Sequence, residues 1–225
     1  MSTKIQEMFN NIASNYNKMN KIMTFGMDKY WRRYAVKKAA LTRGSKLIDI
    51  ATGTGDIIFE ALKKTEIEAV GLDFAESMLE IARKRDEEKS AEWIQADALK
   101  LPFDDETFDA VTSGYLMRNV DDIPGAFNEQ FRVLKPGGFV VCLDTTPPGK
   151  SVLTPFIKIY LKLAIPILGR ILAGNRSAYA YLTESTVHFK TADELKKIMI
   201  ASGFKDINIK KFMFRTIAVH SGKKE

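Results

Sequence analysis

Short unbroken apolar runs alternate along the chain with stretches where apolar residues recur every three or four positions, the patterns left by buried strands and amphipathic helices. The first run, KLIDI, starts at Lys46 and breaks off at a glycine-bearing turn, after which a helical pattern begins near Asp56. IEAVGLD ends a second run at Asp73, AEWIQAD a third at Asp97 and FDAVTSG a fourth at Gly114; GGFVVCLDTTPP forms a fifth, and KDINIKKFMF and RTIAVHSG close the chain. Between them the spacing predicts a helix carrying Met78, Leu79, Ile81 and Ala82, and another with Phe127, Phe131 and Leu134 on one side, ended by Pro136 and Gly137. A later helix opens on a Thr191/Glu194 capping box and ends at Gly203. Strands and helices in alternation specify an α/β fold.

Two tracts stand outside that alternation. Residues 1–45 read as helices broken near Gly26, with Ile5, Met8, Phe9, Ile12 and Tyr16 in a stripe that either packs on a core or lines a substrate wall. Ser151 to Leu172 is the most apolar stretch, yet Lys158, Lys162, Pro166 and Arg170 interrupt it and argue against a bilayer span. It suits either an interfacial or cavity-covering helix or a pair of inserted core helices.

Chemistry is concentrated where the first strand ends. In DIATGTGD, Gly53 and Gly55 let backbone approach a ligand closely, and open α/β sheets bind ligands at the carboxyl ends of their strands. A dinucleotide turn would carry a third glycine where Ile58 stands, and Asp56 at the helix start would meet a phosphate with a carboxylate. The ligand expected there is uncharged or cationic. One βα unit on, Asp73 is placed to accept both hydroxyls of a ribose, or to cap the following helix with Glu76 in support. Asp97, taken alone, reads as a loop-capping carboxylate, Asp104 to Glu106 as a solvated turn, and Arg118 as a partner for a nearby acid such as Asp121.

Composition narrows the class. With 225 residues, 45% of them hydrophobic, the chain suits one large α/β domain. The net charge of +6 is unevenly spread: +8 over Met1 to Lys46, −11 over Leu47 to Pro148 and +9 over Gly149 to Glu225. Basic flanks around an acidic centre suit an anionic membrane surface or a nucleic acid, or are simply solvated faces. The single cysteine, Cys142, lies in an apolar run, as expected of a reduced, intracellular compartment. His188 and His220 are too isolated for a metal cluster, so no metal is expected. The N-terminus lacks the apolar core of a signal peptide, and a cytoplasmic protein, peripheral at most to a membrane, is the expectation.

DIATGTGD followed by GLDFAESML resembles the first two motifs of class I methyltransferases that use S-adenosylmethionine. That resemblance implies cofactor contacts from Asp49, Gly53, Thr54 and Gly55, from Asp73 and Phe74, from Asp97 and Ala98 in the D-A-x-x-L-P-F phrase, and from Gly114. It also implies a Rossmann-like, seven-stranded, mostly parallel sheet in the order 3-2-1-4-5-7-6. The phrases NNIASNYNKMN and MTFGMDKYWRR, the step Arg118-Asn119-Val120 and the segment Tyr179-Ala-Tyr181-Leu-Thr-Glu-Ser185 are similar to the ubiquinone and menaquinone C-methyltransferase family. The chain departs from that family's usual Leu-Glu-Phe-Ser at Leu143, Asp144, Thr145 and Thr146.

The family resemblance implies a lid over residues 1–45, a methyltransferase domain over 46–225 with a helical insertion at 151–185, and a prenylated quinol as acceptor. It implies ring-carbon methylation with Arg118 stabilising a phenolate and Asn119 and Tyr16 orienting the ring, and substrate contact from Tyr179 and Tyr181. Peripheral membrane contact and a homodimer belong to the same expectation. Another phenol or lipid as acceptor keeps every cofactor residue. RNA fits less well: no Pro-Pro-aromatic tetrapeptide follows Gly114, and Cys142 lies within a strand rather than poised as a nucleophile, so no nucleic acid is expected.

Overall fold

The computed structural model describes residues 3–149 and 152–225. β1 (Lys46–Ile50) lies inside the sheet, hydrogen-bonded in parallel to β2 (Glu68–Asp73) on one side and β4 (Phe108–Gly114) on the other. β3 (Ala91–Gln95) extends the β2 side, β5 (Leu134–Thr145) the β4 side, and β7 (Ile217–Lys223) runs antiparallel between β5 and β6 (Lys205–Phe212). The order is therefore β3-β2-β1-β4-β5-β7-β6, as the resemblance implied.

Neighbouring strand residues point to opposite faces. Ile48, Ile50 and Val140 accordingly enter one core with Phe127 and Phe204, while Leu47 and Val141 enter another with Trp31 and Ile58. The covering helices supply those partners: α2 (Asp28–Lys38) and α3 (Asp56–Leu62) on one face, α5 (Ile123–Val133) and α9 (Ala192–Ala201) on the other.

A third cluster sits over α4 (Glu76–Arg85). In it α1 (Thr3–Met23) contributes Ile12 and Met19, packed with Met78, with Leu161 and Ile165 of the inserted region and with Tyr179 of α8 (Arg176–His188). The insertion is one continuous helical path, α6 (Thr154–Ile159) running into α7 (Ile165–Ala173) through a π-helical turn over Tyr160–Ala164. Pro166 lies just beyond that turn. A proline breaks the ordinary i→i−4 ladder, and a widened turn upstream accommodates it. Among the described residues no helix is long and apolar enough to cross a membrane.

Local expectations are corrected in three places. The helix carrying Phe127 and Phe131 ends at Val133, not at Pro136; Leu134 is already in β5, paired with Phe108, and the irregular step between Phe108 and Ala110 takes up the proline and glycines. β3 stops at Gln95, two residues short of Asp97. Asp73 does not cap α4, whose N-cap is Ala75.

Candidate active site

The turn after β1 is built on left-handed backbone: Ala51, Gly53 and Gly55 all have positive φ, the last at 86°. The two glycines answer different needs. A Cβ on Gly53 would meet open space, whereas one on Gly55 would come within 2.5 Å of the Trp93 ring. The side of Gly53 where a Cβ would stand is open, whereas at Gly55 that side is filled by Trp93, so the turn and Trp93 both require a glycine there.

Asp73 holds this turn from the next strand, its Oδ2 accepting from the Gly53 amide at 2.7 Å and its Oδ1 from the Ala75 amide at 2.9 Å. Burial keeps its carboxyl above the usual aspartate range, with those amides pulling the other way. Asp49 lies beneath the turn, wholly buried, with one oxygen accepting from the Thr52 hydroxyl and the other from that of Thr112. Asp56 is among the lining of neither cavity described below and is held by two arginines: Arg32 pairs with it at 3.2 Å and Arg85 at 2.8 Å. The acidic character expected at the helix start is thereby neutralised, and that of the site rests on Asp73.

Beside Gly53 runs a narrow crevice of about 40 Å³. Its floor is Ala51, Gly53 and Gly114, its wall Asp73 and Met78, and its roof Gln6, Phe9 and Tyr16 of α1. Neither lysine nor arginine is among the described residues lining it. The remaining residues expected at the cofactor are not among those lining this crevice. Thr54 donates to Asn17 of α1, the Phe74 carbonyl accepts from Gln6 and Gln95, and Asp97 accepts from the Leu99 amide, next to buried Ala98.

A second, larger cavity of about 300 Å³ opens beyond it and is predominantly apolar. α1 contributes Asn20 and Met23, the insertion Ile157 and Leu161, α8 Leu182 and Thr186, and the chain before β7 Met213 and Phe214. Tyr16 and Tyr115 line both cavities. Arg118 lines the larger one, its Nη1 donating to Thr186 Oγ1 at 3.3 Å and its guanidinium lying 5.0 Å from the Tyr115 ring centre. Behind it Asp144 is buried, raised by desolvation and held back by the Arg118 charge. Asn119 lines the crevice, fixed from both ends: it donates to the Tyr115 carbonyl at 2.8 Å and accepts from the Tyr181 hydroxyl at 3.2 Å.

Tyr179 is not among the residues lining either cavity. It is fully buried against Gly169, where a Cβ would overlap its ring, so it helps close α7 onto α8, and its hydroxyl, near Tyr16, has no hydrogen-bond partner among the described residues. Tyr181 meets the site through its hydroxyl, which donates to Asn119 and feels the Arg118 charge. His220 is structural, its Nε2 2.8 Å from the Ala192 carbonyl oxygen. Three participants went unread in the sequence: Tyr115, Asn20 and Thr186. Tyr115 carries a φ of 59°, a strain that concentrates at functional sites but leaves no mark in a run such as GYLMRN.

Solved structures share this architecture. An S-adenosylmethionine-dependent methyltransferase from Thermotoga maritima superposes with a TM-score of 0.70 at 22% identity, covering 97% of this chain and 99% of its own. Phosphoethanolamine N-methyltransferase 2 of Haemonchus contortus, solved with S-adenosyl-L-methionine, gives 0.67 at 17% identity over 87% of this chain, which spans 52% of that larger protein. Sequence relatives are nearer. The ubiquinone/menaquinone biosynthesis C-methyltransferase UbiE of Desulfotalea psychrophila is 47% identical over 98% of this chain and 90% of its own. The demethylmenaquinone methyltransferase of Staphylococcus carnosus is 38% identical over 99% and 93%. The sequence model of one family runs through residues 1–224, from the helix that roofs the crevice to the last strand: the chain belongs to the ubiE/COQ5 methyltransferase family.

Proposed function

We propose that the chain moves the methyl group of S-adenosylmethionine onto a ring carbon of a prenylated quinol, demethylmenaquinol or its benzoquinol counterpart. The observation that carries this reading is the junction: a narrow crevice bearing a carboxylate and a larger apolar cavity share Tyr16 and Tyr115 as walls, with Arg118 on the apolar side. The names of the two sequence relatives support the acceptor.

The crevice fits a cationic donor. Its charged lining group is Asp73, whose free lone pairs can accept ribose hydroxyls, and the open side of Gly53 leaves space beside it. Asp97 and the Ala98 amide are assigned to the adenine, while Asp49, Thr54, Gly55 and Phe74 shape the turn and Gly114 floors it. When bound, the donor supplies an electrophilic methyl on a sulfonium.

The apolar cavity takes the ring and the start of its tail. An ionised ring hydroxyl pushes charge onto the neighbouring carbon, and Arg118, protonated in any ordinary surroundings, stabilises that phenolate without acting as a base. As the new carbon–carbon bond forms, the methyl–sulfur bond breaks and S-adenosylhomocysteine leaves as the neutral thioether; the ring carbon then gives up its proton to water and the ring regains its aromaticity. Tyr16 and Asn119 set the ring's approach, and the apolar walls exclude bulk water.

The cavity mouth supports contact with a membrane. Phe25, Phe156 and Phe214 line the cavity and are also 76%, 68% and 66% exposed. Ile159, Leu163, Ile167 and Ile171 continue that exposed face along the insertion, with Lys158, Lys162 and Arg170 exposed beside them. Apolar side chains flanked by basic ones suit an anionic lipid surface, where a polyprenyl tail resides. The test of the assignment at the ring is Arg118→Ala. It leaves S-adenosylhomocysteine affinity unchanged and lowers methyl transfer by about 10²–10³-fold; near-normal turnover removes the assignment.

A further inference from the structure

Several polar groups in the apolar cavity are committed. The hydroxyls of Thr24, Thr183, Thr186, Thr216 and Tyr160 each donate to a backbone carbonyl of the protein itself. Two nitrogens are different: Asn20 Nδ2 and Arg118 Nε are buried and have no hydrogen-bond partner among the described residues, and both residues line this cavity. A buried donor left unpaired is costly, so a pair in one cavity marks places where a ligand's acceptors belong. Asn20 stands four positions after Tyr16 and so shares its face of α1, whereas Arg118 comes from the loop beyond β4. The two residues therefore come to the cavity from separate elements.

Resting on the quinol reading above, we infer that Asn20 is a substrate-binding residue that donates to the second ring oxygen, the one across the ring from the oxygen held by Arg118. The cavity thus reads a 1,4-dioxygenated ring rather than a simple phenol. One donor at each oxygen fixes the ring's rotation in its plane, which decides which carbon faces the shared wall at Tyr16 and Tyr115. Asn20 also places a specificity element on the helix that roofs the crevice, so that helix must be seated for the acceptor to be recognised.

The experiment compares wild type with Asn20→Leu on two acceptors, under anaerobic conditions. One is a short-chain prenylated 1,4-naphthoquinol lacking the ring methyl; the other is the same compound without the 4-oxygen. Because both enzymes meet both compounds, the diol's greater intrinsic reactivity cancels in the ratio of ratios. The preference for the diol falls roughly tenfold in Asn20→Leu, through kcat/KM for the diol, while the monophenol rate stays within about twofold of wild type. Asn20→Asp, which keeps the shape and removes the donor, shows the same loss of preference and covers a failure of the leucine variant to fold. If both variants retain the wild-type preference, or lose activity on both acceptors in equal proportion, Asn20 does not read that oxygen. If wild type itself methylates neither compound, the quinol reading falls and this inference with it.

Discussion

At Arg118 two demands meet that a single residue type can satisfy. The guanidinium must hold a permanent charge beside an apolar cavity, and it must be oriented, which Thr186 and the Tyr115 face accomplish. Asp49 shows the opposite case, an acid whose charge is suppressed. Burial, with a smaller push from Asp73, raises its carboxyl to about 7 against the pull of the Thr112 and Thr52 hydroxyls. In the unfolded chain the same group titrates near about 4. Between those values the folded protein binds a proton that the unfolded chain does not, so the stability linked to Asp49 is complete below that window and is lost as pH rises through about 7. Asp49→Asn keeps the shape, accepting from one hydroxyl and donating to the other once that hydroxyl turns, and has nothing to ionise. Thermal midpoints measured from pH 5 to 8 fall less steeply for Asp49→Asn than for wild type; parallel profiles contradict this account of the buried carboxyl.

The elements that could be read from the sequence were those set by period and spacing. β1, β2 and β4 are short, largely apolar runs, and the capping box at Thr191 and Glu194 forms as expected. What could not be read depends on contacts distant in sequence. The need for Gly55 comes from Trp93, and the neutral state of the α3 start comes from Arg32 and Arg85, on two other helices. The fate of Asp73 as a brace for Gly53 rather than a helix cap is equally a tertiary matter. For Ser151 to Leu172 the sequence left an interfacial and a core helix open. The structure has both aspects, Leu161 and Ile165 facing inward and Phe156, Ile159, Leu163 and Ile171 outward. That outer face carries a prediction: the wild-type protein sediments with anionic vesicles more than with neutral ones, and Phe156→Ser combined with Ile159→Ser reduces sedimentation several-fold without lowering thermal stability. Equal sedimentation of wild type and variant would exclude this face as the contact.

Across the whole molecule, two cavities of unlike chemistry lie over the carboxyl ends of one sheet, and α1 closes over both. Asn17 ties α1 to the first turn through Thr54, Gln6 ties it to the end of β2 through the Phe74 carbonyl, and Tyr16 and Asn20 face the interior. The same helix thus touches donor side and acceptor side, which aligns the two at the wall they share. The measurement that reaches this arrangement most directly uses methyl-labelled S-adenosylmethionine and a short-chain demethylmenaquinol, with the position of the label in the product found by carbon NMR. The account predicts label in a methyl group on the ring carbon beside a hydroxyl. Label in a methyl ether on the ring oxygen, or no labelled product with this acceptor, would contradict it.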